Sequence, residues 1–95
     1  MFIVLLKFSG NKGQAGQFMD GHKAWLKRGF DDGVFVLAGS LQPGAGGGIV
    51  AHNISRADLE SRVNDDPFVA EDVVSPEIHE IDPAKTDARL AFLQG

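Results

Sequence analysis

The chain contains no cysteine, which removes disulfides, thiolate metal sites and a cysteine nucleophile in one step. No apolar run approaches the roughly 20 residues that a helix needs to cross a bilayer. The N-terminus has neither the basic flank nor the small-residue cleavage site of an export signal, so a cytoplasmic protein is the expectation. A basic cluster is missing too. With a formal charge of -4 and a pI near 5.1, the chain has no electrostatic footprint for nucleic acid or an anionic membrane. A small molecule or another protein is the expected partner. The three histidines, His22, His52 and His79, fall on what read as separate elements with no zinc spacing, so no metal and no cofactor are expected.

What is present is an ordinary globular composition, 43% hydrophobic and 23% charged over 95 residues, enough for one core. The stretch with the clearest period is Gln14 to Asp32. At 3.6 residues per turn, Ala15, Phe18, Met19, His22, Trp25, Leu26 and Phe30 share one side of a helix, while Asp20, Lys23, Lys27 and Arg28 point away. His22 thus stands in an apolar stripe. Gly21 and Gly29 each cost about 1 kcal/mol relative to alanine, so packing must hold this helix together.

The rest of the chain falls into place around it. Phe2 to Phe8 is too short for a helix and rich in residues that suit a pleated surface, so it reads as a strand. Ser9 to Gly13 is a turn, and Gly33 ends the helix in a left-handed conformation. Val34 to Leu41 is a second strand, and the glycine-rich turn Gln42 to Gly48 joins it to a third, Ile49 to Ile54. That turn lacks the following helix that a phosphate loop requires. Ser55 caps a second helix in which Ala57, Leu59 and Val63 supply the apolar surface. Asp66 then caps a short helical turn with Pro67 at its first position, running to about Asp72. Val73 to Ile81 makes a fourth strand, with Pro76 marking an edge or bulge.

The order β-α-β-β-α-β is that of a ferredoxin-like α+β fold, a four-stranded antiparallel sheet with its helices on one face. The strands are apolar on both sides, so the second face calls for a cover, and a homodimer with sheets packed face to face would supply it. The domain spans residues 1–83. The tail of residues 84–95, with Ala84, Leu90 and Leu93 at helical spacing, reads as a short helix lying along the partner.

The N-terminal apolar strand, His22 on the first helix, the run FDDGVFVLAGSL after it and NDDPF before the last strand together resemble the YCII-related family over residues 1 to about 83. The resemblance implies a dimeric α+β barrel and an active site built on a His-Asp pair, here His22 and Asp66. One departure is Gly39-Ser40 where the family commonly has Gly-Pro, which leaves a hydroxyl near the strand end.

A carboxylate bonded to one imidazole nitrogen fixes the tautomer and orients the ring, leaving the other nitrogen to exchange a proton with substrate. On that basis the chain reads as a cofactor-independent enzyme. His22 is its acid/base and Asp66 its orienting partner, for elimination, isomerisation or hydrolysis of a small organic molecule. The plainer alternative makes His22 a half-buried histidine on a backbone carbonyl and Asp66 only a helix cap. The fold would then be a small-ligand-binding or accessory dimeric module. Three further residues are candidates for substrate binding: Ser40 through its hydroxyl, Lys7 through its ammonium, and Trp25 as a pocket wall for a ring-shaped ligand. Each also has a structural role open to it, as strand-end hydroxyl, solvated lysine and core tryptophan.

Overall fold

The computed structural model of the chain describes residues 1–94. The N-terminal run forms β1 (Phe2–Phe8), and a turn of 3-10 helix at Lys12–Gln14 leads into α1 (Ala15–Asp31). Then follow β2 (Phe35–Leu41), β3 (Gly46–Ala51), α2 (Arg56–Asn64), the single turn α3 (Pro67–Ala70) and β4 (Val74–Glu80). The strands form one sheet in the order β2-β3-β1-β4 with every neighbouring pair antiparallel, which is the ferredoxin-like arrangement. Pro76 lies on β4, an edge strand, where a missing N–H leaves no central ladder bond unmade.

Alternation along β1 divides the sheet into two faces. Phe2, Val4 and Leu6 point at the helices and are buried, joined by Phe35, Ile49 and Ala51 from neighbouring strands. From above, Trp25 of α1, Leu59 and Val63 of α2, and Phe68 of α3 complete this core. The other face carries Ile3, Leu5, Val50 and Leu37, with Lys7 and Glu77 beside them. The helices leave it uncovered, and Leu37 is 57% exposed.

Trp25 anchors α1. Its ring is 2% exposed, and its indole N–H donates to the Arg62 carbonyl at 2.8 Å, so the one polar atom of a large buried side chain is satisfied. The two helix glycines have a packing reason. A β-carbon at Gly29 would overlap the Phe35 ring, and one at Gly21 would stand 3.1 Å from Pro67 Cγ. Each glycine lets the helix approach a neighbour more closely than alanine would allow.

Several expectations need correction. The third strand starts at Gly46 and ends at Ala51, because β1 supplies a ladder partner for each of the three glycines. Backbone pairing, which needs no side chain, outweighs their low strand propensity. Gly46 has φ +131, and a β-carbon there would collide with the Leu6 carbonyl, so this position requires glycine. Phe30 is 43% exposed and meets Phe35 only edge-on. Ala57 is exposed, leaving Leu59 and Val63 to hold α2. A bulge between Phe35 and Leu37 breaks the alternation of β2, and Val34, just before the strand, is buried along with Phe35. Within the tail, Ala88–Gln94 winds as 3-10 helix. Its Phe92 touches the His52 ring edge-on at 5.2 Å. Gly95, the end of the expected tail helix, lies outside the described residues.

Candidate active site

The site grows out of the close approach of α1 to α3. Pro67 at the first helical position starts α3, and Asp66 before it takes an extended backbone conformation, φ -64 and ψ 123. Its Oδ1 accepts the Phe68 N–H at 3.0 Å, the bond of a helix cap. The same oxygen lies 2.8 Å from Nδ1 of His22. Gly21, next to His22 in sequence, is the residue that clears Pro67 from the path of α1. Cap and pair therefore come from one local arrangement.

Asp66 is fully buried while the His22 side chain is 14% exposed. With the Asp66 carboxylate ionised, and so able only to accept, this bond calls for the proton on Nδ1 and leaves Nε2 as the free nitrogen. Among the described residues nothing bonds to Nε2, and the one sealed side-chain polar atom without a partner is Asp66 Oδ2. Nε2 is thus open. The Phe68 ring stacks on the imidazole with centroids 4.0 Å apart and planes within 3°, and Trp25 stands further back at 5.9 Å. The ring cannot swing far without losing both the carboxylate and that stack.

His22 lines a cavity of about 340 Å³ between α1 and the inner face of the sheet, at the lower end of the range for small-molecule sites. Met19, Leu26, Phe68, Leu6 and Ile49 form its apolar walls. The backbones of Gly39 and Gly46 to Gly48 form its floor. Gly47 pairs with Leu6 on one side and Ser40 on the other, so the missing side chain at Gly47 is what keeps the inner face open there. Ser40 lines the cavity, and Lys23 does so from α1.

Of the residues read from the sequence, His22 and Ser40 share this cavity, and Asp66 stands behind His22. Trp25 lines no part of it; it belongs to the core that supports the His22 ring. Lys7 is on the opposite face of the sheet, paired with Glu77 at 2.9 Å, because odd positions of β1 point away from the helices. There the Lys7 hydrogen bond, then its charge, holds the exposed Glu77 carboxyl below its ordinary value of 4.5. Sequence reasoning missed Lys23, assigned to the outward side of α1, and Phe68. Adjacency to His22 and to the Asp66-Pro67 cap was the available signal for each. Among the described residues no group of three histidine, cysteine, aspartate or glutamate side chains is arranged to hold a metal ion. No helix among them is long and apolar enough to cross a membrane.

No family model and no curated protein matches the chain. Its fold is similar to that of a solved structure, 5-chloro-2-hydroxyhydroquinone dehydrochlorinase (TftG) from Burkholderia phenoliruptrix, in complex with 2,5-dihydroxybenzoquinone. The two share 14% sequence identity with a TM-score of 0.69, over 85% of this chain and 93% of the other. At that identity the likeness establishes the fold, and the fold is that of a small α+β protein with a four-stranded antiparallel sheet.

Proposed function

We propose that the chain is a cofactor-independent enzyme of the YCII-related type in which His22 transfers protons for a small organic molecule bound between α1 and the sheet. The observation that carries this reading is the 2.8 Å contact of His22 Nδ1 with the buried Asp66 carboxylate, made by a ring whose other nitrogen is free at a cavity wall. Asp66 holds the Nδ1–H tautomer and stabilises the positive charge that develops as Nε2 takes up a proton. Nε2 removes a proton from an O–H or C–H of the bound molecule. The electron pair left behind moves toward a leaving group, as in an elimination, or toward an adjacent carbonyl, as in an isomerisation. In the second case Nε2 returns the proton at another atom. The structurally similar dehydrochlorinase and the quinone bound to it favour elimination on a hydroxylated ring as the first reaction to try.

In the same reading the uncovered sheet face with Ile3, Leu5, Leu37 and Val50 packs on a second copy of the chain, since apolar side chains at the centre of an open sheet are better placed against a partner than in water. The test pairs two measurements. Halogenated and hydroxylated ring compounds are incubated with the protein in deuterated water, and halide release and deuterium uptake are followed for the wild type, His22→Ala and Asp66→Asn. Nitrogen NMR of the imidazole reports the tautomer. Turnover that disappears in His22→Ala, with a protonated Nδ1 in the wild type, is the expected result. A ring protonated at Nε2 alone, or turnover indifferent to His22, would overturn it and leave a ligand-binding module.

A further inference from the structure

The distribution of unpaired cations points to the ligand's charge. Of the nine lysines and arginines, Lys7, Lys27, Arg56, Arg62 and Arg89 have carboxylate partners. Lys12, Lys23, Arg28 and Lys85 have none among the described residues, and of these four only Lys23 is among the residues that line the His22 cavity. Its neighbour four residues back is Met19, which offers no charge, and Asp20 makes no ion pair with it. Lys23 instead lines the cavity that His22 and Ser40 share. A second cation is close by: the Lys12 ammonium lies 5.1 Å from the centre of the Phe8 ring, and Phe8 is itself a wall of that cavity. In a chain of net charge -4, an unpaired lysine on the lining of this apolar cavity, with Lys12 against one of its walls, favours an anionic ligand over a neutral one.

Shape adds to charge. The floor at Gly39 and Gly46 to Gly48 is bare backbone, so a flat molecule can lie against it without meeting a side chain. The facing walls are apolar, and the Ser40 hydroxyl can donate to or accept from a ring substituent. We infer that the cavity takes an anionic planar ring compound, an aromatic acid, with its ring on the glycine floor and its carboxylate held by Lys23. This rests on the reading of the cavity as the functional site, and it names the substrate class and the residue that selects it.

The test is binding alone, so it stands apart from turnover. para-Hydroxybenzoate and para-hydroxybenzyl alcohol, alike in shape and different in charge, are titrated into the wild type, Lys23→Met, Lys23→Glu and Lys27→Met, with backbone amide NMR shifts at Gly47 and Ser40 as the readout. The acid is expected to bind about twofold to fivefold tighter than the alcohol, the scale of one partly exposed ion pair. That preference should vanish in Lys23→Met, reverse in Lys23→Glu, shrink as salt is added and persist in Lys27→Met. Equal binding of acid and alcohol, a preference that survives Lys23→Met, or no shift at Gly47 and Ser40 with either probe would overturn the inference. A Lys23-dependent preference without any His22-dependent turnover would sink the acid/base reading and leave this one intact.

Discussion

Replacing Asp66 separates its two roles, because alanine and asparagine remove different things. In Asp66→Ala both bonds to Oδ1 are lost. Loss of the cap on Phe68 costs about 1 kcal/mol. The imidazole Nδ1–H, mostly buried and left without an acceptor, costs a further 1–3 kcal/mol or so. The sum is about 2–4 kcal/mol, which in a domain of this size lowers Tm by roughly 10–25 °C. Asparagine keeps an oxygen for the Phe68 N–H at 3.0 Å and for His22 at 2.8 Å. It also puts a neutral amide where Oδ2 is buried without a partner, so one unsatisfied buried group replaces another and a buried charge is removed. Asp66→Asn should therefore stay within about 1 kcal/mol of the wild type. Its catalysis should fall by a factor of about 10²–10⁴, since a neutral amide cannot stabilise the charge on the ring. Calorimetric melting of the three proteins, with turnover measured on the same samples, checks both halves. An Asp66→Asn variant as unstable as Asp66→Ala would refute the hydrogen-bond accounting. A stable one with full activity would refute the charge argument.

Gly47→Val should close the cavity while sparing the sheet: the position has an ordinary backbone conformation and a β-carbon there would meet only the Gly39 carbonyl, at 3.4 Å. Unchanged melting with loss of ring-compound binding by NMR is the expected outcome. Gly29→Ala should destabilise by about 1–3 kcal/mol through overpacking against Phe35, measured by urea denaturation; a neutral result would mean that α1 shifts freely over β2. Because Glu77 is held below its ordinary value of 4.5 by Lys7, whatever small stability that pair contributes is present above 4.5 and fades as the pH falls through the depressed value. Denaturation midpoints of the wild type and Glu77→Gln should accordingly converge in acid, and a gap that widens there would contradict the pairing.

The α+β fold was legible because its determinants are local. β1 is a short apolar run, α1 has a long 3.6-residue stripe around Trp25, and Ser55 and Asp66 are caps whose side chains accept the expected backbone N–H groups. The contact of His22 with Asp66 was reached by a different route. The two residues are 44 positions apart, and no period or spacing joins them; a family resemblance suggested the pair, and the approach of α1 to α3 at Gly21 makes it. What stayed hidden depends on backbone that carries no side-chain signal. Gly46 to Gly48 read as a turn since glycine is a poor strand former, yet they pair with β1 residue by residue and floor the cavity.

The placement of Lys23 has the same origin. On a helical wheel it falls outside the apolar stripe and reads as solvated, but a lysine side chain is long enough to reach along an apolar surface and bring its ammonium to a rim. A wheel assigns directions from Cα and says nothing of reach. The cavity at that end is lined by the small residues Ala38, Ser40 and Gly47, whereas Trp25 and Gly29 further along α1 pack directly on Phe35. The histidine pair and the open cavity are thus two consequences of one distribution of side-chain size. Large residues and one glycine clasp the helix at its C-terminal half, while small ones on β2 and β3 leave room beneath His22.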